Sequence, residues 1–194
     1  MEDQQQSMSM GWGRFGAMIA ASTVIMFFLM YQLVYEMDHA LFSLTRLVSS
    51  LVMGCVMAAV MLAFMWKMYR PNAAKVAVLV GAIVVGTGLL AVNRSQALVG
   101  DVAFMKAMIP HHSIAINNSR MADIRDPRVR YLADRITRDQ VKEIAEMKML
   151  IDDIERDGRR AQAPLPARPA TLEPAGAQEA RDLVSGELVK EKPL

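Results

Sequence analysis

One cysteine stands among 194 residues, Cys55. It excludes an intramolecular disulfide and, equally, a zinc centre built on several thiolates. Histidine is scarce too, with three residues. Net charge is small, +2 at neutral pH, and no basic patch is interleaved with aromatics, so nucleic acid is not an expected partner. Neither a phosphate-cradling glycine loop, a Ser/His/Asp set nor a carboxylate pair is present. The expectation is a protein that is not an enzyme.

The largest absence is of charge itself over long stretches. Phe15 to Tyr35, Leu47 to Trp66 and Val76 to Val92 carry none, over 21, 20 and 17 residues, and Asn93 extends the third run. A helix needs about 20 apolar residues to cross a bilayer about 30 Å thick. A buried core helix would show a polar face, and these runs do not. The pattern predicts three transmembrane helices, at 15–35, 47–66 and 76–93. Lys67, Arg70 and Lys75 lie between the second and third spans, and Arg14 precedes the first. Between the first and second lie Glu36, Asp38 and a lone arginine, Arg46. The positive-inside rule then places the N-terminus (1–14) and the 67–75 loop in the cytoplasm. It places the 36–46 loop and everything after the third span outside, with Arg94 in minor dissent. Trp12, Trp66 and Tyr69 should sit at the inner interface, and Tyr31 and Tyr35 at the outer one. The first residues lack the pattern of a cleaved signal peptide. The expected location is a bacterial inner membrane, with a periplasmic C-terminal domain.

Beyond Gly100 the pattern turns amphipathic. Asp126-Pro127 is an N-cap followed by a first-turn proline. From there Leu132, Ala133, Ile136, Gln140, Ile144, Met147, Ile151 and Ile154 recur at helical steps, and Gly158 is a stop signal. A preceding helix, about 101–124, has Phe104, Met105, Met108, His112, Ala115, Ile116 and Ser119 as its expected inner face. The short connection predicts an antiparallel hairpin over 94–158. Two helices bury too little to stand alone, so a homo-oligomer or packing on the membrane spans is expected. Residues 159–194 are rich in Ala, Pro, Arg and Glu and are expected to be a disordered tail, with at most a weak helix over 178–189.

Two of the three histidines are adjacent in Met105-Lys106-Ala107-Met108-Ile109-Pro110-His111-His112. On a helix, Met105, Met108 and His112 share a stripe with His111 at its edge. Thioether plus imidazole is the ligand set that soft copper(I) prefers. The same stripe would serve as core filler beside solvated histidines. Pro110 interrupts the amide ladder, and is either a plain kink or a device that turns the histidines toward the partner helix. Zinc is the lesser candidate, since neither histidine has an evident acidic or thiolate co-ligand.

Methionine is abundant, 17 residues, and uneven: twelve fall within 1–68, none within 69–104 and five within 105–149. Met53, Met57, Met61 and Met65 form a ladder along the second span, while Met26, Met30 and Met37 climb toward His39. A soft-metal path and helix packing by an adaptable side chain both fit, and packing is favoured.

The run Phe104 to His112, Ala115-Ile116, Asp126-Pro127 and the rhythm Ile136, Gln140, Glu143-Ile144, Met147 together resemble the domain of unknown function 305 family. The resemblance covers about residues 100–155. It implies a ferritin-like helical bundle with periplasmic copper-binding relatives, and the three-span half resembles a membrane-anchored branch. It also implies ligand roles for Met105, Met108, His111, His112 and Met147. Met121, Met149 and His39 are further metal candidates. The chain departs from copper-binding relatives at Asn118, where they often carry methionine. No ferroxidase chemistry is expected, because neither histidine has a glutamate three residues before it.

Overall fold

A computed structural model describes residues 11–191. The cytoplasmic stretch expected over 1–14 therefore falls largely on residues 1–10, outside those described. Seven α-helices make up the described chain: α1 (Trp12–Leu29), α2 (Leu44–Phe64), α3 (Asn72–Ser95), α4 (Asp101–Met121), α5 (Pro127–Asp157), α6 (Pro174–Ser185) and α7 (Glu187–Glu191). Strands are absent among the described residues. The described residues divide into two compact units, one of residues 11–32 and 42–107, the other of 33–41 and 108–191.

In the first unit α1, α2 and α3 are each long and apolar enough to cross a membrane. At 1.5 Å per residue their 18, 21 and 24 residues span roughly 27, 32 and 36 Å. α2 packs against both α1 and α3. Of its most apolar stretch 28% is buried, against 6% for each neighbour, so α2 is the middle helix and the other two leave most of their surface outward. Outward-facing Val24, Ile25, Phe28, Val80, Ile83, Val84 and Val85 are all more than half exposed, as a lipid-facing surface requires.

The helix ends shift from the expected spans for local reasons. α1 begins at Trp12 and stops at Leu29, six residues short of the expected end, because residues 33–41 join the second unit instead of extending it. α2 starts at Leu44, where Ser43 caps it by accepting from the Arg46 N–H at 3.3 Å. α3 extends from Asn72 to Ser95.

One end of this unit is an aromatic cluster. Phe15, Leu62 and Tyr69 are almost fully buried, with Trp12, Met61, Met65 and Leu79 packed around them. The Trp12 and Tyr69 rings lie 4.9 Å apart, and Trp12 Nε1 donates to the Arg70 carbonyl at 3.0 Å. Two rungs of the methionine ladder are thus core contacts of this cluster, the packing role. Toward the middle of α1 and α2, a Cβ at Gly54 would sit 2.5 Å from Thr23 Oγ1, so glycine there permits the close approach of the two helices.

In the second unit α4 and α5 form the expected antiparallel hairpin. Arg130 donates to the Ser119 carbonyl at 2.7 Å near the turn, and His112 meets Glu143 farther along. Asp126 caps α5 by accepting from the Arg128 N–H at 2.8 Å, and Gly158 ends it at a φ of 80°. On α4 the buried stripe is Met105, Ile109, His112 and Ile116, with Ser113 also buried. This corrects the expected inner face. Phe104 is 53% exposed, and Ile109, unassigned in the sequence pattern, is fully buried. The stripe follows steps of four, three and four residues, which rotates it one position from the assignment that put Phe104 inside.

The tail also departs from expectation. Residues 159–173 contain no helix, but α6 and α7 follow. α6 opens on Pro174 at its first turn and ends at Gly186 in the left-handed region, both standard boundary chemistry. It is tied to α5 by an Arg135–Glu179 ion pair and by Arg128 Nη1 donating to the Val184 carbonyl at 2.9 Å. The sequence suggested no more than a weak helix over 178–189, because the apolar residues of α6 are few.

Candidate metal centre

α4 carries the histidine pair into the hairpin and separates its members. It runs through Pro110, which is fully buried. Adjacent helix residues diverge by about 100°, so His111 is exposed while His112 is 8% exposed. Their ring centroids stand 5.9 Å apart.

His112 is held at both nitrogens. Nδ1 donates to the Met108 carbonyl one turn back, at 3.0 Å. Nε2 lies 2.7 Å from Glu143 Oε2 on α5. Both neighbours carry acceptor oxygens, so the ring bridges the α4 backbone and the α5 carboxylate and ties the two helices together. Gln140 Nε2 donates to the same carboxylate oxygen at 3.3 Å. The Met108 bond fixes the ring so that Nε2 is the nitrogen presented toward α5. An ion held by Nε2 would displace its contact with Glu143. The expectation that the histidines lack an acidic neighbour is corrected here, because Glu143 supplies one to His112. The chain separation of 31 residues hides the pairing; the hairpin register reveals it.

The thioether candidates divide. Met105 is buried, 5% exposed, and falls in the membrane unit. Met108 is half-buried beside His112 in the second unit. Met147 is half-buried on α5, one turn past Glu143 and on the same face. Met121 and Met149 are 70% and 63% exposed and point away from the hairpin interior. Asn118 is exposed as well, so its face of α4 is not the one His112 occupies.

His39 lies in the 33–41 segment and is 6% exposed. Its Nδ1 is 3.0 Å from Ser113 Oγ, which accepts from the Tyr35 N–H at 2.7 Å. Its Nε2 then faces Glu36 and Asp38, each at 3.7 Å. Glu36, Asp38 and His39 bring one ligand atom each to within 4.8 Å of one another. Lys148 already holds Asp38, with Nζ 2.6 Å from Oδ2, and that bond draws the Asp38 carboxyl below its ordinary pKa of 3.8. In the sequence Glu36 and Asp38 registered only as loop charges. The spacing Glu36-Met37-Asp38-His39 was the available signal. Ser113, next to His112, gave none.

Residues 101–187 match the model of a family described as Domain of unknown function (DUF305). The match runs beyond the hairpin and takes in α6. A stretch of 62 residues is 40% identical to a protein described as "Uncharacterized protein L153" of Acanthamoeba polyphaga mimivirus. It covers 31% of this chain and 41% of that protein, so the chain spans less than half of the relative's length. No solved structure matches the chain.

Proposed function

We propose that this chain is a membrane-anchored metal-binding protein whose extracytoplasmic hairpin sequesters or hands over copper through its Met/His site. The observation that carries the proposal is the seating of His112. Its Nδ1 is committed to the Met108 carbonyl, which orients Nε2 into the space between α4 and α5. Metal-binding histidines are commonly oriented in this way by a bond at the other nitrogen. His111 stands beside it, exposed and accessible, and Met108 and Met147 supply thioethers on the facing helices. Met105 continues the α4 stripe one turn before Ile109. Copper(I) suits the imidazole and thioether donors; Glu143 gives zinc or copper(II) an oxygen donor, and these are the lesser candidates. The site is non-catalytic in this account.

The topology supports an extracytoplasmic placement. Lys67, Arg70 and Lys75, in the loop between the second and third spans, favour a cytoplasmic side for that loop, which leaves the 33–41 loop and the hairpin outside. In a bacterium the bilayer would be the inner membrane and the hairpin periplasmic. Two hairpins from two copies would complete a ferritin-like four-helix bundle.

A second reading has its own observation. The His112–Glu143 pair is complete without a metal, and α5 leaves Val129, Val141, Met149 and Leu150 about half exposed or more. On that reading the hairpin is a structural oligomerisation module. Copper(I) titration of the full chain in detergent, read by chelator competition and by oligomer mass, separates the two. Binding lost on removing both histidines supports the metal site. A histidine-dependent change in oligomer mass with no copper effect supports the module.

A further inference from the structure

The loop between α2 and α3 holds charge for which the described chain offers no counter-ion. Lys75, in the first turn of α3, is 4% exposed. Its Nζ donates to the Trp66 carbonyl at 3.0 Å and lies 4.5 Å from the centre of the Trp66 ring. Neither partner carries negative charge, and among the described residues no carboxylate pairs with Lys67, Arg70 or Lys75. A buried ammonium without a counter-ion is costly. Here the cost is increased by the positive end of the α3 dipole, which disfavours a cation in the first turn.

These three cations line an open cavity of about 750 Å³, together with Trp66, Tyr69, Pro71 and Asn72. Tyr69 is 1% exposed, and its phenol oxygen is buried without a hydrogen-bond partner among the described residues. A buried hydroxyl in that state loses the bonds it would make with water. The cavity thus combines three positive charges and a helix N-terminus, with a buried tyrosine ring beneath them. It lies at the ends of two membrane-length helices and is flanked by tryptophan and tyrosine, where lipid phosphates are at hand.

We infer that this cavity binds the phosphate of an anionic membrane lipid, held by Lys67, Arg70 and the α3 N-terminus, with Lys75 compensated by its charge. Basic pockets between transmembrane helices favour such headgroups, and each cation near the surface adds to the attraction. Inorganic phosphate shares the chemistry, but a lipid is the committed occupant because of the depth at which the cavity lies.

The test uses the full chain in phosphatidylcholine nanodiscs with a rising fraction of phosphatidylglycerol. Fluorescence is informative because the chain has two tryptophans, Trp12 and Trp66, the second lining the cavity. A saturable change is expected with phosphatidylglycerol. Lys67→Gln/Arg70→Gln should raise the fraction needed by about tenfold or more. Helical circular dichroism should be unchanged. The charge-matched control Arg94→Gln/Arg168→Gln should not raise it. An equal shift in both double variants, or no saturation, overturns the site. Saturation by inorganic phosphate at millimolar concentration, without the lipid, overturns the lipid assignment.

Discussion

His112 Nε2 and Glu143 Oε2 lie 2.7 Å apart across the hairpin, with the histidine side chain 10% and the glutamate side chain 49% exposed. This pair both fastens α4 to α5 and occupies the nitrogen a metal would need. Removing the carboxylate therefore has two effects of opposite sign. Glu143→Ala should lower the melting temperature, and it should hold or raise copper(I) affinity, because the competing contact is gone and a carboxylate is a poor ligand for a soft ion. Zinc affinity should fall. Chelator competition with both metals checks this; a large loss of copper(I) binding would mean that Glu143 is itself a copper ligand.

His111 and His112 should separate stability from binding. His112→Ala removes a buried, doubly bonded ring and should cost about 2 kcal/mol. His111 is exposed, and His111→Ala should change stability by less than about 0.5 kcal/mol while still weakening copper(I) binding. Urea unfolding of the hairpin signal alongside copper competition gives both quantities for each variant.

Asp126 gives the hairpin an acid sensitivity. Its side chain accepts from Arg128, through the guanidinium first and the backbone N–H second, and these bonds hold its pKa down at about 2 against an ordinary 3.8. A depressed carboxylate contributes stability above its ordinary pKa and loses it as pH falls toward the folded value. The contribution of Asp126 should therefore be present in full at neutral pH and fade between about 4 and 2. Asp126→Asn keeps an N-cap but not the charge, so its melting temperature should fall less between pH 5 and pH 2.5 than that of the wild type. An identical fall in both would show that the cap charge is irrelevant.

Gly54 tests the packing of α1 on α2. A Cβ there meets Thr23 Oγ1 at 2.5 Å, and Thr23 Oγ1 is already donating to the Ile19 carbonyl at 2.8 Å. Gly54→Val should force the helices apart and destabilise the membrane unit by about 1–3 kcal/mol. Gly81→Val should not, since nothing lies within 4 Å of a Cβ at that position. Detergent-unfolding curves of the two variants provide the comparison.

Elements whose signal is local were legible in the sequence. Three uncharged runs became three membrane-length helices, and Asp126-Pro127 and Gly158 bracket α5 as their chemistry requires. The stripe containing His112 was legible from spacing, though one position out of phase at Phe104, because a 3.6-residue period read over a few turns fixes a helix face only to within about one residue. What depended on long-range register was not legible. Glu143 stood in the sequence only within the rhythm Gln140, Glu143-Ile144, Met147, and its bond to His112 required the hairpin to be closed. Ser113 and His39, 74 residues apart, meet only because the 33–41 segment joins the hairpin unit. α6 was legible only as a weak helix over 178–189, for a different reason: its composition is that of a tail, and its anchors are on α5.

Copper held by the two histidines would be seen in the copper(I) affinity of the full chain in detergent, by chelator competition, for the wild type and for His111→Ala/His112→Ala. The double variant should lose about a hundredfold or more, with helical content retained. Equal affinity in the two proteins would refute copper binding by these histidines and leave the His112–Glu143 pair as a structural clasp.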